Sequence, residues 1–345
     1  MNVECPLTTN TGTVVRLGHG SGGVMSQQLL RECVFPHFDN AWTKQEHDGA
    51  RIPMPKGQVV FTTDSFVITP LFFPGGDIGK LAVYGTVNDL AMCGARPEYL
   101  SCSLILEEGL PFATLDRVIE SMARAASETG VQFVTGDTKV VERGKGDGLY
   151  INTAGIGTMA CPDAIEPRQI RPGDRIILSG DIGRHGVAVM AKREGLCFDS
   201  PLQSDCAPLH GAVRSLLDAG ITPHCLRDLT RGGLATALVE LAETARKEIL
   251  VHEADIPVGD AVQGACEMLG LDPLYVANEG RFIAFIRPEE VDRALSILSR
   301  DPVGSGSRII GKVGEGDCHQ VILRNSLGCE RLLYRLPGEQ LPRIC

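Results

Sequence analysis

The sequence predicts a chain of two consecutive domains, each mixing helices with a small β-sheet, an α/β and α+β organisation. Its 345 residues exceed the size at which a single hydrophobic core usually stops growing. The composition, 43% hydrophobic with 40 glycines and 5% aromatic residues, suits a globular enzyme with many tight turns better than a disordered or fibrous chain. In CPDAIEPRQIRPGDR, Pro162, Pro167 and Pro172 punctuate a polar stretch between two apolar strands, which places the domain junction near residue 167.

Residues 1–40 form a separate N-terminal arm, in which the strand-like TVVRL leads to the glycine cluster GHGSGG and a helix-like VMSQQLLREC. In the first domain, 41–166, the short β-rich runs QVVFTTD, EYLSCSLILEEG, VQFVTGDTKVV and YINTAGIGTM read as strands. Between two of them, Leu115, Val118, Ile119, Met122, Ala123 and Ala126 recur at helical spacing and Gly130 supplies the stop. In the second domain, 167–336, RIILSG, RFIAFIRP, RIIGKVG and QVILRN read as strands, while GGLATALVELAETARKE and PEEVDRALSILSR carry helical patterns. No repeat or low-complexity segment interrupts this order.

A formal charge of −10 argues against a general nucleic-acid binder, which needs basic surface to displace phosphate counterions. Any polyanionic ligand must be held locally. The opening residues lack the charged head and apolar core of a signal peptide, and no run approaches the roughly 18 apolar residues of a membrane span. A cytoplasmic protein with no membrane contact is expected. The 12 cysteines are scattered through the chain without CxxC pairs, so reduced thiols are expected rather than disulfides or structural zinc.

GHGSGG at 18–23 satisfies GxGxxG and has Asp39 about twenty residues on. The βαβ unit of a dinucleotide fold is missing around it. What survives is the physical point that glycines let backbone amides approach phosphate oxygens at a helix start. Three acids occur where apolar runs end, Asp64, Asp89 and Asp137. Carboxylates at strand ends can converge on Mg²⁺, which keeps waters and phosphate oxygens in its octahedron and needs one or two protein acids per ion. Walker A is absent, but Thr230 to Gly233 in RDLTRGGLATALVE open a helix whose unpaired amides attract anions. Lys139, two residues beyond Asp137, could place a point charge on phosphate or shift a proton. Each of these residues taken singly is compatible with a turn, a cap or a solvated surface.

The chain ends LPRIC. The preceding residues carry two prolines, a glycine and no apolar periodicity, so 337–345 reads as a mobile tail. From Pro337 it spans roughly 25–30 Å at about 3.3 Å per residue, and it ends in a thiol.

Taken together, GHGSGG, TTDSFVITPLFFPGGDIGKLAVYGTVNDLAMCGARPEYLS, FVTGDTKVV, RDLTRGGLATALVE, NEG at 278–280 and the closing PRIC resemble the HypE hydrogenase maturation family, within the AIR synthase-like (PurM-like) superfamily, over nearly the whole chain. The resemblance implies an N-terminal domain whose sheet pairs with that of a second subunit in a homodimeric barrel, followed by an α+β domain. It implies ATP bound by Gly18, His19, Gly20, Ser21, Gly22, Gly23, Asn88, Gly136, Thr138, Arg231, Gly232 and Gly233, with GHGSGG as a lid and Mg²⁺ on Asp64, Asp89 and Asp137. In that family the terminal cysteine, here Cys345, receives a carbamoyl group from the HypF carbamoyltransferase. ATP-dependent dehydration then turns the S-carbamoyl group into a thiocyanate, and the cyanide passes to iron on a HypC-HypD scaffold. Glu279 is the implied base and Lys139 its partner. Arg343 is expected to favour the Cys345 thiolate against the terminal carboxylate, and Cys93 is expected to be a packing thiol. Two alternatives stand beside this reading. One is a thiamine-monophosphate kinase-like or selenophosphate synthetase-like phosphotransferase, which would not need Cys345; the other is a non-catalytic nucleotide-binding assembly protein.

Overall fold

The computed structural model describes all residues except 1–12, 22, 46–48, 54–56, 197–201, 317, 337–342 and 345. Two sheets organise it. After the short helix α1 (Val24–Leu29), the first half contains β1 (Val59–Phe66), a two-stranded hairpin β2 (Phe72–Phe73) and β3 (Gly76–Asp77), and α2 (Ile78–Met92). Next come β4 (Ala95–Glu107), α3 (Phe112–Thr129), β5 (Gln132–Val141) and β6 (Leu149–Met159). The four long strands lie in the order β1-β6-β4-β5, antiparallel except for the parallel β4–β5 pair that α3 connects. Alternate residues Leu100, Cys102, Leu104 and Leu106 of β4 are buried beneath α2 and α3, as a half-buried strand requires. The opposite face carries Val59, Phe61 and Ile105, with Phe61 66% exposed.

The second half runs β7 (Arg175–Leu178), α4 (Arg184–Glu194), α5 (His210–Asp218), β8 (Cys225–Asp228), α6 (Gly233–Ala245), β9 (Ile249–His252) and α7 (Asp260–Leu269). It continues with β10 (Phe282–Ile286), α8 (Val291–Leu298), β11 (Arg308–Val313), β12 (Val321–Arg324) and β13 (Glu330–Leu333). Seven strands form one sheet in the order β13-β12-β9-β11-β7-β10-β8. Its strand β10 is buried on both faces: Phe282, Ala284 and Ile286 pack with α5 and α8, while Ile283 and Phe285 pack with α6. Ala91 and Met92 from the end of α2 join the α5–α8 core, and this seam joins the two halves.

The eight strands expected in the two domains and the four expected helices, VMSQQLLREC included, are present. TVVRL is not a strand; Val14 makes one isolated bridge to Pro111. The run around Asp89 is not a strand either but helix α2, in which every residue except Lys80 and Asp89 is buried. A helix apolar all round shows no stripe to read. Asp77 caps its start, accepting Lys80 N at 3.0 Å.

At Gly136 the β4–β5 pair closes so tightly that a Cβ would stand 2.2 Å from the Cys102 carbonyl oxygen. Gly136→Ala is therefore expected to lower stability by about 1–3 kcal/mol through forced strand separation, read as a shift in urea midpoint.

Candidate active site

The chain end enters the seam between the halves. Arg343, with φ 56°, turns the chain so that Ile344 bridges to Ile68 and is buried. The Arg343 carbonyl accepts from Arg193 Nη2 at 2.5 Å and from Thr69 N at 3.4 Å. Arg193 Nε also donates to Thr69 O at 2.8 Å. The Ile344 carbonyl lies 2.5 Å from Nε2 of His185, on the first turn of α4. A carbonyl only accepts, so Nε2 carries the proton and Nδ1 accepts from the Ser204 hydroxyl at 2.8 Å. Burial lowers the His185 pKa, keeping the ring neutral. Ser204 Oγ in turn accepts Cys206 N at 3.0 Å. Cys345 is outside the described residues.

The loop that holds His185 also holds Glu279. Asp205 Oδ2 accepts the amides of Glu279 at 3.1 Å and Gly280 at 3.0 Å, and a Cβ on Gly280 would lie 1.9 Å from Asp205 O, so only glycine fits there. Glu279 is 4% exposed. Its Oε1 and Asp205 Oδ1 have no hydrogen-bond partner. Burial first, then repulsion from Asp228, Asp205, Asp64 and Asp89, pushes the Glu279 carboxyl well above the ordinary range. Such a group keeps its proton tightly and, once ionised, is a strong base.

Beyond Glu279 lie three more acids. Asp64 points from β1 towards Gly85 of α2. Asp89, on the last turn of α2, accepts Thr62 Oγ1 at 2.9 Å. Asp228 ends β8. Burial raises all three pKa values. Arg231 opposes the rise at Asp64 and Asp89, and Arg227 opposes it at Asp89 and Asp228. Asp228 reaches about 7, with Asp89 and Asp64 adding to burial. Among the described residues no three His, Cys, Asp or Glu side chains form a metal-binding group. Water and phosphate oxygens would have to complete any divalent-cation shell, as Mg²⁺ prefers.

Gly232 and Gly233 both have positive φ at the start of α6, where a Cβ on Gly233 would meet the Val276 and Leu274 carbonyls at 2.6 and 2.7 Å. Asn88 is buried; its amide donates to Ala207 O at 3.2 Å and accepts Leu209 N at 2.7 Å. It is a staple between the halves, with its amide engaged by backbone.

Asp137 and Lys139 correct the expected convergence. Along the sheet Asp64 pairs with Thr153, Thr153 with Cys102 and Cys102 with Gly136. Asp137, the next residue, therefore faces the opposite side of the sheet on the far edge strand. Within one protomer it does not join Asp64 and Asp89, and Lys139, which pairs with Asp137 at 2.7 Å, does not reach Glu279. Both line a second site. A pocket of about 380 Å³ lies between the N-terminal arm and β5, bordered by His19, Gly20, Phe38, Gly136, Thr138 and Lys139 among others. Gly20 approaches β5 so closely that a Cβ would stand 2.5 Å from Val140 N. Gly18, Ser21 and Gly23 belong to the same loop; Gly22 lies outside the described residues.

Arg343 pairs with Asp147 at 2.8 Å. Cys93 is exposed after α2 rather than packed. Asp205, Asp228 and His185 were missed by sequence reasoning. Only Asp228 left a signal, an acid closing a strand before the glycines of RDLTRGG.

Residues 46–159 match the family model for the AIR synthase related protein N-terminal domain, and residues 171–324 match the model for the C-terminal domain. Fold and site thus define a two-domain AIR synthase related protein. The chain is 50% identical to the carbamoyl dehydratase HypE of Cupriavidus necator, over 100% of its own length and 98% of that protein's. A solved structure of the hydrogenase maturation protein HypE in complex with ATP aligns with a TM-score of 0.92 at 46% identity, covering 95% of this chain and 99% of that one. A HypE chain from a HypE–HypF complex aligns with a TM-score of 0.78 at 41% identity, covering 91% and 100%. The chain belongs to the carbamoyl dehydratase HypE family.

The elevated Asp228 carboxyl makes a stability prediction. Below pH 4 folded and unfolded chains both hold its proton. As pH rises from about 4 to 7 the unfolded chain releases it while the folded chain keeps it, so stability conferred at low pH is lost across that window and levels off above it. In buffer free of divalent cations, Asp228→Asn should raise the melting temperature at pH 8 and change it little at pH 4. An equal change at both pH values would contradict the elevation.

Proposed function

We propose that the protein dehydrates an S-carbamoyl group on its own Cys345 to a thiocyanate at the expense of ATP, supplying cyanide for the iron of a nickel-iron hydrogenase. The observation that carries this reading is the docked end of the chain: the Ile344 carbonyl is bonded inside the seam, through His185 and Ser204, to the loop that holds Glu279. A small-molecule phosphotransferase has no use for a chain terminus in its active site.

The chemistry follows from what the carbamoyl oxygen needs. It is a poor leaving group until it attacks the γ-phosphorus of ATP. That forms an O–P bond, breaks the bond to ADP, and leaves the nitrogen as an imine after one N–H proton departs. Phosphate then leaves with the C–O electron pair as the second N–H proton is taken, and C≡N forms on sulfur. Each proton needs an acceptor: Glu279, whose amide is held by the loop that receives the chain end, takes one once it is ionised, and the departing phosphate takes the other. Its raised pKa suits a base that must recover a proton from a weakly acidic imine.

One or two of Asp64, Asp89 and Asp228 would hold a divalent cation, water and phosphate oxygens completing its shell, because burial raises all three carboxyls and a cation would relieve that. Mg²⁺ held there would neutralise phosphate charge. Gly18, His19, Gly20, Ser21, Gly22 and Gly23, with Gly136, Asp137, Thr138 and Lys139, would bind nucleotide on the arm side. Arg231, Gly232 and Gly233 would bind phosphate on the seam side. The uncovered sheet face around Phe61 suits a second copy of the chain forming a homodimeric barrel. Asp137 and Lys139 face that side, so any part they take in a site containing Glu279 would be played across the dimer. Domain limits of 41–166 and 167–336, loading by HypF, delivery to a HypC-HypD scaffold and a cytoplasmic location complete the proposal. No described helix is long and apolar enough to cross a membrane.

Intact-protein mass spectrometry after incubation with a carbamoyl donor system tests it. A carbamoyl adduct should appear on the chain and lose water only when ATP is added, and Cys345→Ala should take no adduct. ATP turnover by Cys345→Ala on a free small molecule would support the phosphotransferase instead.

A further inference from the structure

Five buried groups run from the end of the chain to the backbone amide of Glu279. Ile344 O accepts from His185 Nε2, His185 Nδ1 accepts from Ser204, Asp205 follows Ser204, and Asp205 Oδ2 takes the Glu279 amide. His185 is 0% exposed, and Ser204, Asp205 and Glu279 are each 7% or less. The edge of the His185 ring meets Phe73 at 5.4 Å between centroids, which fixes its plane. The Ile344 carbonyl carbon is bonded to the nitrogen of Cys345. Holding that oxygen therefore orients the peptide plane from which the reacting sulfur hangs, four bonds beyond the carbonyl carbon. Upstream, Arg193 and Thr69 hold Arg343, one residue earlier.

We propose that His185 is a positioning residue that registers the C-terminal tail against Glu279 by donating to the Ile344 carbonyl. The inference rests on the reading of Cys345 as the carrier of the carbamoyl group. Without the Nε2 donor, the Ile344 carbonyl would be left buried and unpartnered, and the tail would gain by leaving for solvent, where water satisfies it. The tail must also leave to be loaded by another protein. His185 thus opposes loading slightly while it promotes dehydration, and the two steps should respond differently to its loss.

Two substitutions separate the ring's bonds. His185→Asn leaves an acceptor at the Nδ1 position for Ser204 and removes the donor to the tail. His185→Gln returns an amide N–H at the Nε2 position. Three readings are taken on full-length protein: the rate of carbamoyl loading, the rate of ATP-dependent water loss from pre-loaded protein, and the rate at which a carboxypeptidase removes Cys345. For His185→Asn the expected result is water loss slowed about tenfold, tail removal quickened about tenfold, and loading as fast as normal or faster. His185→Gln should restore water loss and protection to within about threefold of normal. Normal water loss and normal tail protection in His185→Asn would overturn the proposal. Equal slowing of loading and water loss, without rescue by glutamine, would overturn it too, since that marks a general packing defect. If the unsubstituted protein accepts a carbamoyl group yet never loses water, the functional reading fails. Tail protection then decides for His185 alone, a tenfold difference upholding the contact and equality refuting it.

Discussion

The acceptance of the Glu279 and Gly280 amides by Asp205 is the contact on which the site turns. It fixes a buried carboxyl to the 204–207 loop, and the same loop receives the end of the chain through Ser204 and His185. Asn88 ties that loop and its continuation to α2 through Ala207 and Leu209. The loop bearing Glu279, the chain end at Ile344 and the helix bearing Asp89 are therefore referred to one short segment of backbone. Gly280 is required because Asp205 O occupies the space a side chain would need.

The acids of the seam are unfavourable by themselves. Burial raises Asp64, Asp89, Asp228 and Glu279, and repulsion from neighbouring acids adds to it at Asp89, Asp228 and Glu279. Arg231 and Arg227 offset part of that, and Arg227 is also shared with Glu240. A site that keeps such charge close stores a preference for cationic or protonated states, which is what phosphoryl chemistry beside a proton acceptor uses. Away from the seam, the glycine arm folds against β5 beside Asp137 and Lys139.

Much of the fold was legible because its elements advertise one buried face. The stripe of α3 and the alternation of β4 follow directly from residue spacing. Helix α2 was not legible, since burial on all sides erases its period, and with it went the true setting of Asp89. Strand alternation, applied along β5, would have separated Asp137 from Asp64, but their relative face depends on a register set through two intervening strands. Glu279 came from a family resemblance, whereas His185 stayed hidden because its partner Ile344 lies 159 residues away. A lone histidine in a glycine-rich turn carries no local sign of such a contact. The terminal thiol stood out because a tail with two prolines offers no packing reason for ending in cysteine.

The central claim is that the seam brings the chain's last sulfur to a phosphate that carries away the carbamoyl oxygen. Loading the protein with a carbamoyl group labelled with ¹⁸O and adding ATP tests this most directly. The account predicts that the label appears in inorganic phosphate, one oxygen for each thiocyanate formed. Label released into water, with unlabelled phosphate, would contradict it.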